Sequence, residues 1–159
     1  MDVSVDSLIV RTGLYGIYKK EQFEFIKKNK FLCRLIIRRF DIQKKYKTMG
    51  FKKYSESVYI MDIQCDSIDS AFSVTTYCNY ESGKYFIEYI SKEEVCLNPD
   101  LETLTEVLER HPYDHGRYRL EIPYKQFSEQ VSEIWEERKK VPGFLFNAEK
   151  IKYLNDDLS

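Results

Sequence analysis

Between residues 71 and 78 every second position is apolar or small, and Phe72, Val74, Thr76 and Cys78 fall on one face. That period of two predicts a strand with one buried side. Residues 58–65 are equally rich in strand formers, and 66–69 supply turn chemistry before the alternating run. Glu81-Ser82-Gly83 reads as a turn, with residues 84–90 as the partner strand of a hairpin. Residues 95–97 add a fourth short strand. Such a meander buries one face and wets the other.

The flanks carry a different spacing. Residues 21–49 contain neither Pro nor Gly, and Gly50 follows. This predicts a mostly helical stretch ended by that glycine. Cys33, Ile36, Ile37 and Phe40 form one stripe at helical spacing, and Phe23 and Ile26 another. The run Lys27-Lys28-Asn29-Lys30 offers a break between them. Residues 31–40 alone also suit a buried strand, because periodicity does not separate the two for a short apolar run.

Towards the C-terminus, Asn98-Pro99-Asp100 predicts a helix start, with Asn98 as cap and Pro99 at the first helical position. Leu101, Leu104, Leu108 and His111 share a face, and Pro112 closes the element. Residues 117–122 read as a strand. A second helix is expected over 124–140, with Phe127, Val131, Ile134 and Trp135 inward. Residues 144–146 look like a hydrophobic latch, and 147–154 like a short last helix. Residues 1–16 are a short strand or an arm. The expected fold is a single α+β domain over 1–159. It has an antiparallel meander of three to five strands and helices mainly on one face. Its parts are a basic, mostly helical segment (17–54), a β meander (55–97) and a helix-strand-helix region with the latch (98–159).

Composition narrows the class. With 43% hydrophobic and 15% aromatic residues in 159, the chain has enough apolar mass for a core. That excludes a disordered tail or a disulfide-dense miniprotein. No run reaches the roughly 18 uncharged apolar residues of a membrane helix, and the N-terminus lacks the basic start and apolar core of a signal peptide. The expectation is a cytoplasmic protein. Its four cysteines, at 33, 65, 78 and 96, then read as small buried hydrophobes, with a Cys65–Cys78 bridge as the rival in an oxidising compartment.

The net charge of −1 hides a division. Residues 17–54 carry 13 Lys or Arg against 3 acids, whereas residues 55–159 carry 21 acids against 11 bases. On a continuous helix Lys27, Arg34, Arg38 and Lys45 would line one side, as a phosphate-binding face or as a solvated one. Glu102, Glu106 and Glu109 on the first C-terminal helix, and Glu129, Glu133 and Glu136 on the second, would form acidic outer faces. Such faces suit a basic partner or simply water. Tyr80 and Tyr85 add interface-prone aromatics on the hairpin.

Catalytic signals are sparse. His111 and His115 flank Asp114, but Pro112 and Gly116 argue against the helix that would present both to a metal. There is no phosphate loop, dinucleotide fingerprint or nucleophile elbow. No catalytic residue, metal site or cofactor is nominated.

The Tyr-rich meander (residues 73–89) and the segment Trp135-Glu-Glu-Arg-Lys-Lys-Val-Pro-Gly-Phe resemble, in overall build over roughly residues 55–155, the immunity proteins of bacterial polymorphic toxin systems. The resemblance implies a non-enzymatic inhibitor that binds a cognate toxin domain, such as a basic nuclease. It transfers no catalytic residues and does not explain the basic segment. The alternatives are a nucleic-acid-associated accessory protein using Lys27, Arg34, Arg38 and Lys45, or a small enzyme with an unrecognised site.

Overall fold

The computed structural model describes residues 10–100, 103 and 119–154. Of these, 56% are strand and 13% helix. The protein is therefore predominantly antiparallel β, and the expected α+β arrangement with helices layered on a meander is corrected. Of the expected helix at 98–111, Asn98 and Pro99 are strand and residues 101, 102 and 104–111 lie outside the described residues, as does the start of the 117–122 strand. So do Glu102, Glu106, Glu109, His111 and His115.

The described residues group into two compact units. The first comprises Gly13–Ser73 and Lys139–Ala148. Its strands are β1 (Gly13–Tyr18), β2 (Glu21–Lys27), β3 (Leu32–Ile37), β4 (Lys52–Ser55) and β5 (Val58–Gln64), in the order β4-β5-β3-β2-β1. The single α-helix described here, α1 (Lys44–Met49), is six residues long. The stretch expected to be mostly helical is thus two strands, a loop and a short helix. The reason lies in the inward set. Phe23 and Phe25 on β2, and Cys33 and Leu35 on β3, alternate at period two and are all at most 5% exposed. The reversal between them is made by Asn29, whose Oδ1 accepts from the backbone N–H of Phe31 and Leu32 at 2.8 and 2.9 Å. Tyr59 and Met61 of β5, with Ile42, Phe51, Ile68, Ala71 and Phe144, complete this core. Phe144 meets Phe25 edge to face at 5.4 Å. Gly16 lies so close beneath this layer that a Cβ there would stand 3.0 Å from Ile68 Cγ2.

The second unit contains Val74–Arg138 with chain from both termini. β6 (Ser70–Tyr80) gives its first residues to the first unit and the rest to this one. β7 (Gly83–Ile90), β8 (Glu94–Pro99) and β9 (Leu120–Pro123) follow it in antiparallel order. α2 (Tyr124–Gln130) leads into β10 (Val131–Lys140), which pairs with β6 and with β11 (Ile151–Tyr153). The helix expected over 124–140 ends at Gln130, where Val131 turns to extended backbone (φ −73°, ψ 129°). The expected last helix is replaced by β11. Cys78, Tyr80, Ile87, Val95, Leu97, Phe127, Val131, Ile134 and Leu154 form the core. Asn98 belongs to β8, opposite Phe86, and Asp100 Oδ1 accepts from Thr103 N–H at 2.9 Å.

Glu81 and Ser82, between β6 and β7, have φ of 48° and 66°. Two successive left-handed residues make the hairpin turn that matches strand twist, and Asn-Gly adopts it at least cost. Replacing Glu81-Ser82 by Asn-Gly is expected to raise stability by about 1 kcal/mol, read as a higher urea midpoint at unchanged slope. An unmoved or lower midpoint would contradict this reading of the turn.

Candidate interaction face

Antiparallel register places two cross-strand rows on the face of the first unit's sheet opposite its core. One row runs Ile26–Arg34–Asp62 across β2, β3 and β5. Its neighbour runs Tyr15–Glu24–Ile36–Ile60–Lys52 from β1 to β4. Because side chains alternate, the strands that send Phe25, Leu35 and Met61 into the core send these to the opposite face, where Ile36 is itself buried.

Arg34 is the centre of the first row. Its Nε and Nη2 donate to Asp62 Oδ1 and Oδ2 at 2.7 and 3.2 Å, and Lys28 Nζ donates to the same carboxylate at 3.3 Å. The hydrogen bond from Arg34, opposed by burial and aided by Lys28, holds the Asp62 carboxyl below its ordinary value. The Arg34 guanidinium also lies 5.9 Å from the Tyr54 ring centre. Around it stand Tyr54, Ile26 and Leu32, exposed by 68, 46 and 37%. Along the second row Arg38 grips Glu24 through Nε and Nη2 at 2.9 and 2.8 Å. An open depression of about 280 Å³ lies beside that pair, walled by Tyr15, Gln22, Ile36 and Arg39 among others.

This geometry corrects the basic helix face. Lys27 ends β2, Arg34 is on β3, Arg38 follows β3 and Lys45 is on α1. Arg34 and Arg38 are neutralised by Asp62 and Glu24, Lys45 lies 3.6 Å from Glu21, and Lys27 stands over the Phe144 ring at 6.0 Å. Arg39 makes no ion pair among the described residues.

The acidic helix face is corrected as well. Glu129 is exposed at the end of α2, but Glu133 and Glu136 are on β10. Glu133 accepts from Asn79 Nδ2 at 3.3 Å, and Glu136 is only 3% exposed. Arg11 donates to it through Nε and Nη2 at 2.8 and 2.9 Å, and Arg138 Nη2 at 2.9 Å. Tyr80, expected at a surface, is buried; its hydroxyl accepts from Gln126 Nε2 at 2.7 Å. Tyr85 is half-buried, edge-on to Tyr80 at 6.2 Å.

Cys33, Cys78 and Cys96 are buried, whereas Cys65 is partly exposed. The thiol that Cys65 meets is Cys33, not Cys78. Cys96 is held between two charged groups: Arg119 Nε donates to its Sγ at 2.6 Å and the thiol donates to Glu88 Oε2 at 2.9 Å. Burial, reinforced by the Glu88 bond and opposed by Arg119, pushes this thiol up to about 11. It is therefore protonated at neutral pH, a structural hydrogen-bonding group. Among the described residues no group of three His, Cys, Asp or Glu is placed to hold a metal ion, and no helix is long and apolar enough to cross a membrane.

The fold and face define a mainly antiparallel β protein with an outward sheet surface of paired charges and exposed apolar side chains. The chain belongs to the family described as uncharacterised conserved protein UCP033725, which matches it over residues 10–141. No curated protein and no solved structure matches it.

Signals for this face were present in the sequence. Ile26 is apolar at a position that alternates with Phe23 and Phe25, and Asp62 interrupts an apolar strand. Sequence reasoning singled out Arg34 as a phosphate ligand, but missed Asp62, Tyr54, Ile26 and Leu32 because it placed the segment on a helix.

Proposed function

We propose that the protein is a non-enzymatic binding module that neutralises a toxin domain by stoichiometric association, as an immunity protein does. It docks through the outward face centred on Arg34. The observation that carries this reading is the gathering of Tyr54, Leu32 and Ile26 around an arginine already fixed by Asp62. Aromatic and Arg side chains dominate interface energetics, and a pre-ordered guanidinium loses less freedom on binding. The face carries its charges as pairs, so the partner it fits has an apolar centre and a polar rim. The overall resemblance of the meander to immunity proteins supports the finer reading.

The protein is to be purified from its native host and any partner identified, then expressed alone and with this chain. A partner that arrests growth alone and is tolerated in its presence supports the proposal, with Arg34→Ala and Tyr54→Ala each weakening the complex by more than about tenfold. Absence of any partner, a partner harmless by itself, or complexes indifferent to both substitutions would overturn it.

The paired state of Arg34, Arg38 and Lys45 disfavours nucleic acid. Duplex DNA and RNA are expected to bind no more tightly than about 10⁻⁴ M at physiological salt, by fluorescence anisotropy. Micromolar binding that weakens steeply with salt would restore the accessory-protein reading.

A further inference from the structure

Cys33 and Cys65 are 32 residues apart in sequence, yet their Sγ atoms stand 2.6 Å from each other. A disulfide bond is about 2.05 Å long, so the pair is well inside ordinary non-bonded contact. A bridging metal ion does not fit, because each metal–thiolate bond is about 2.3 Å and would hold the sulfurs farther apart. The two thiols are brought together by the sheet itself. Cys33 faces inward on β3 opposite Ile63. Cys65 starts the turn after β5, where its backbone N–H donates to the Phe31 carbonyl at 2.8 Å.

The environments differ in a way that assigns roles. Cys33 is fully buried. Cys65 is partly exposed and lines an open pocket of about 310 Å³ with Lys30, Phe31, Gln64 and Asp66. Lys30 offers a cation for a carboxylate and Asp66 an anion for an ammonium, which suits a small zwitterionic peptide. Burial and the Cys65 contact push the Cys33 thiol up to about 12, so Cys33 keeps its proton until its neighbour has reacted.

We propose that Cys33 and Cys65 form a redox-active dithiol, closed to a disulfide by a small peptide disulfide of the glutathione class admitted at the pocket beside Cys65. The deprotonated Cys65 sulfur attacks one sulfur of the small disulfide. The S–S bond breaks and one thiol leaves, taking up the proton that Cys65 gave up. Cys33 then loses its proton and attacks Cys65 Sγ, displacing the second small thiol, which takes that proton. Two electrons pass from the protein thiols to the small disulfide. The products are one intramolecular disulfide and two reduced peptide thiols.

The test is incubation of the full chain in glutathione buffers of increasing oxidised fraction, followed by thiol alkylation and peptide mass mapping. Oxidised wild type is expected to lose two alkylatable thiols and to yield a Cys33–Cys65 cross-linked peptide, while Cys78 and Cys96 remain alkylated. Cys33→Ser is expected to stop at a glutathione adduct on Cys65, and Cys65→Ser to leave Cys33 unmodified. Failure of wild type to form the cross-link in the most oxidising buffer would overturn the proposal, as would a stable glutathione adduct on wild-type Cys65. The wild-type map decides the matter on its own if a variant does not fold.

Discussion

Glu136→Ala is expected to destabilise the protein by about 3–5 kcal/mol, the usual consequence of removing one partner from a buried ion pair. The carboxylate is 3% exposed and accepts from two guanidiniums, Arg11 on both oxygens and Arg138 on Oε1. Removal leaves both cations without it, at side-chain exposures of 18 and 11%. The attachment of Arg11 is reinforced by buried Thr76, whose Oγ1 donates to the Arg11 carbonyl at 2.8 Å. Urea unfolding by circular dichroism reads the effect, and a loss under about 1 kcal/mol would mean that water already screens the cluster. The same group sets a pH response. Burial works to raise the Glu136 carboxyl, but the bonds from Arg11 and then Arg138 outweigh it and hold the group below its ordinary 4.5. A depressed folded value gives stability that is complete above the unfolded value and lost as pH falls through the folded one. Wild type should therefore lose this contribution below pH 4.5, and Glu136→Gln should show a shallower acid limb.

Phe127→Ala is expected to cost about 3–5 kcal/mol, as for other fully buried aromatic truncations. Phe127 is the one buried residue of α2, is 0% exposed, and stacks on Tyr80 with ring centres 6.1 Å apart. α2 has seven residues, too few to hold as a helix in water without this anchor. Tyr80→Phe provides the contrast. It keeps the ring and removes only the acceptor for Gln126, so about 1 kcal/mol should be lost. Equal losses for the two variants, measured by urea midpoint, would show that the hydroxyl rather than the stack secures the helix.

These two groups also mark what the chain discloses in sequence. The alternation of Phe72, Val74, Thr76 and Cys78 reads directly as β6, because a period of two has no helical counterpart over eight residues. The turn at Glu81-Ser82-Gly83 and the strand after it are equally plain. Residues 21–49 mislead because two patterns coexist. Phe23 with Ile26, and Cys33 with Ile36 and Ile37, satisfy helical spacing, while Phe23 with Phe25 and Cys33 with Leu35 satisfy strand spacing. Tertiary pairing selects the second set. Residues 124–140 mislead in the same way: Phe127, Val131, Ile134 and Trp135 are all buried, but across a helix-to-strand junction that no Gly or Pro announces. Glu136 looks like a solvated acid because its partner Arg11 is 125 residues away. The interaction face was legible only as a basic segment; its neutralising acids become visible once register sets Arg34 opposite Asp62.

The strand that ends the first unit's order, β4, has four residues, all exposed, with Lys52 and Lys53 at its start and an irregular register after them. An open edge of this kind is a template on which another extended chain can add itself. Here two ammonium groups and a broken ladder make that addition unfavourable, so the protein can display a half-apolar sheet face without polymerising through its rim. Colloidal behaviour at high concentration thus depends on a four-residue segment that contributes nothing to the core.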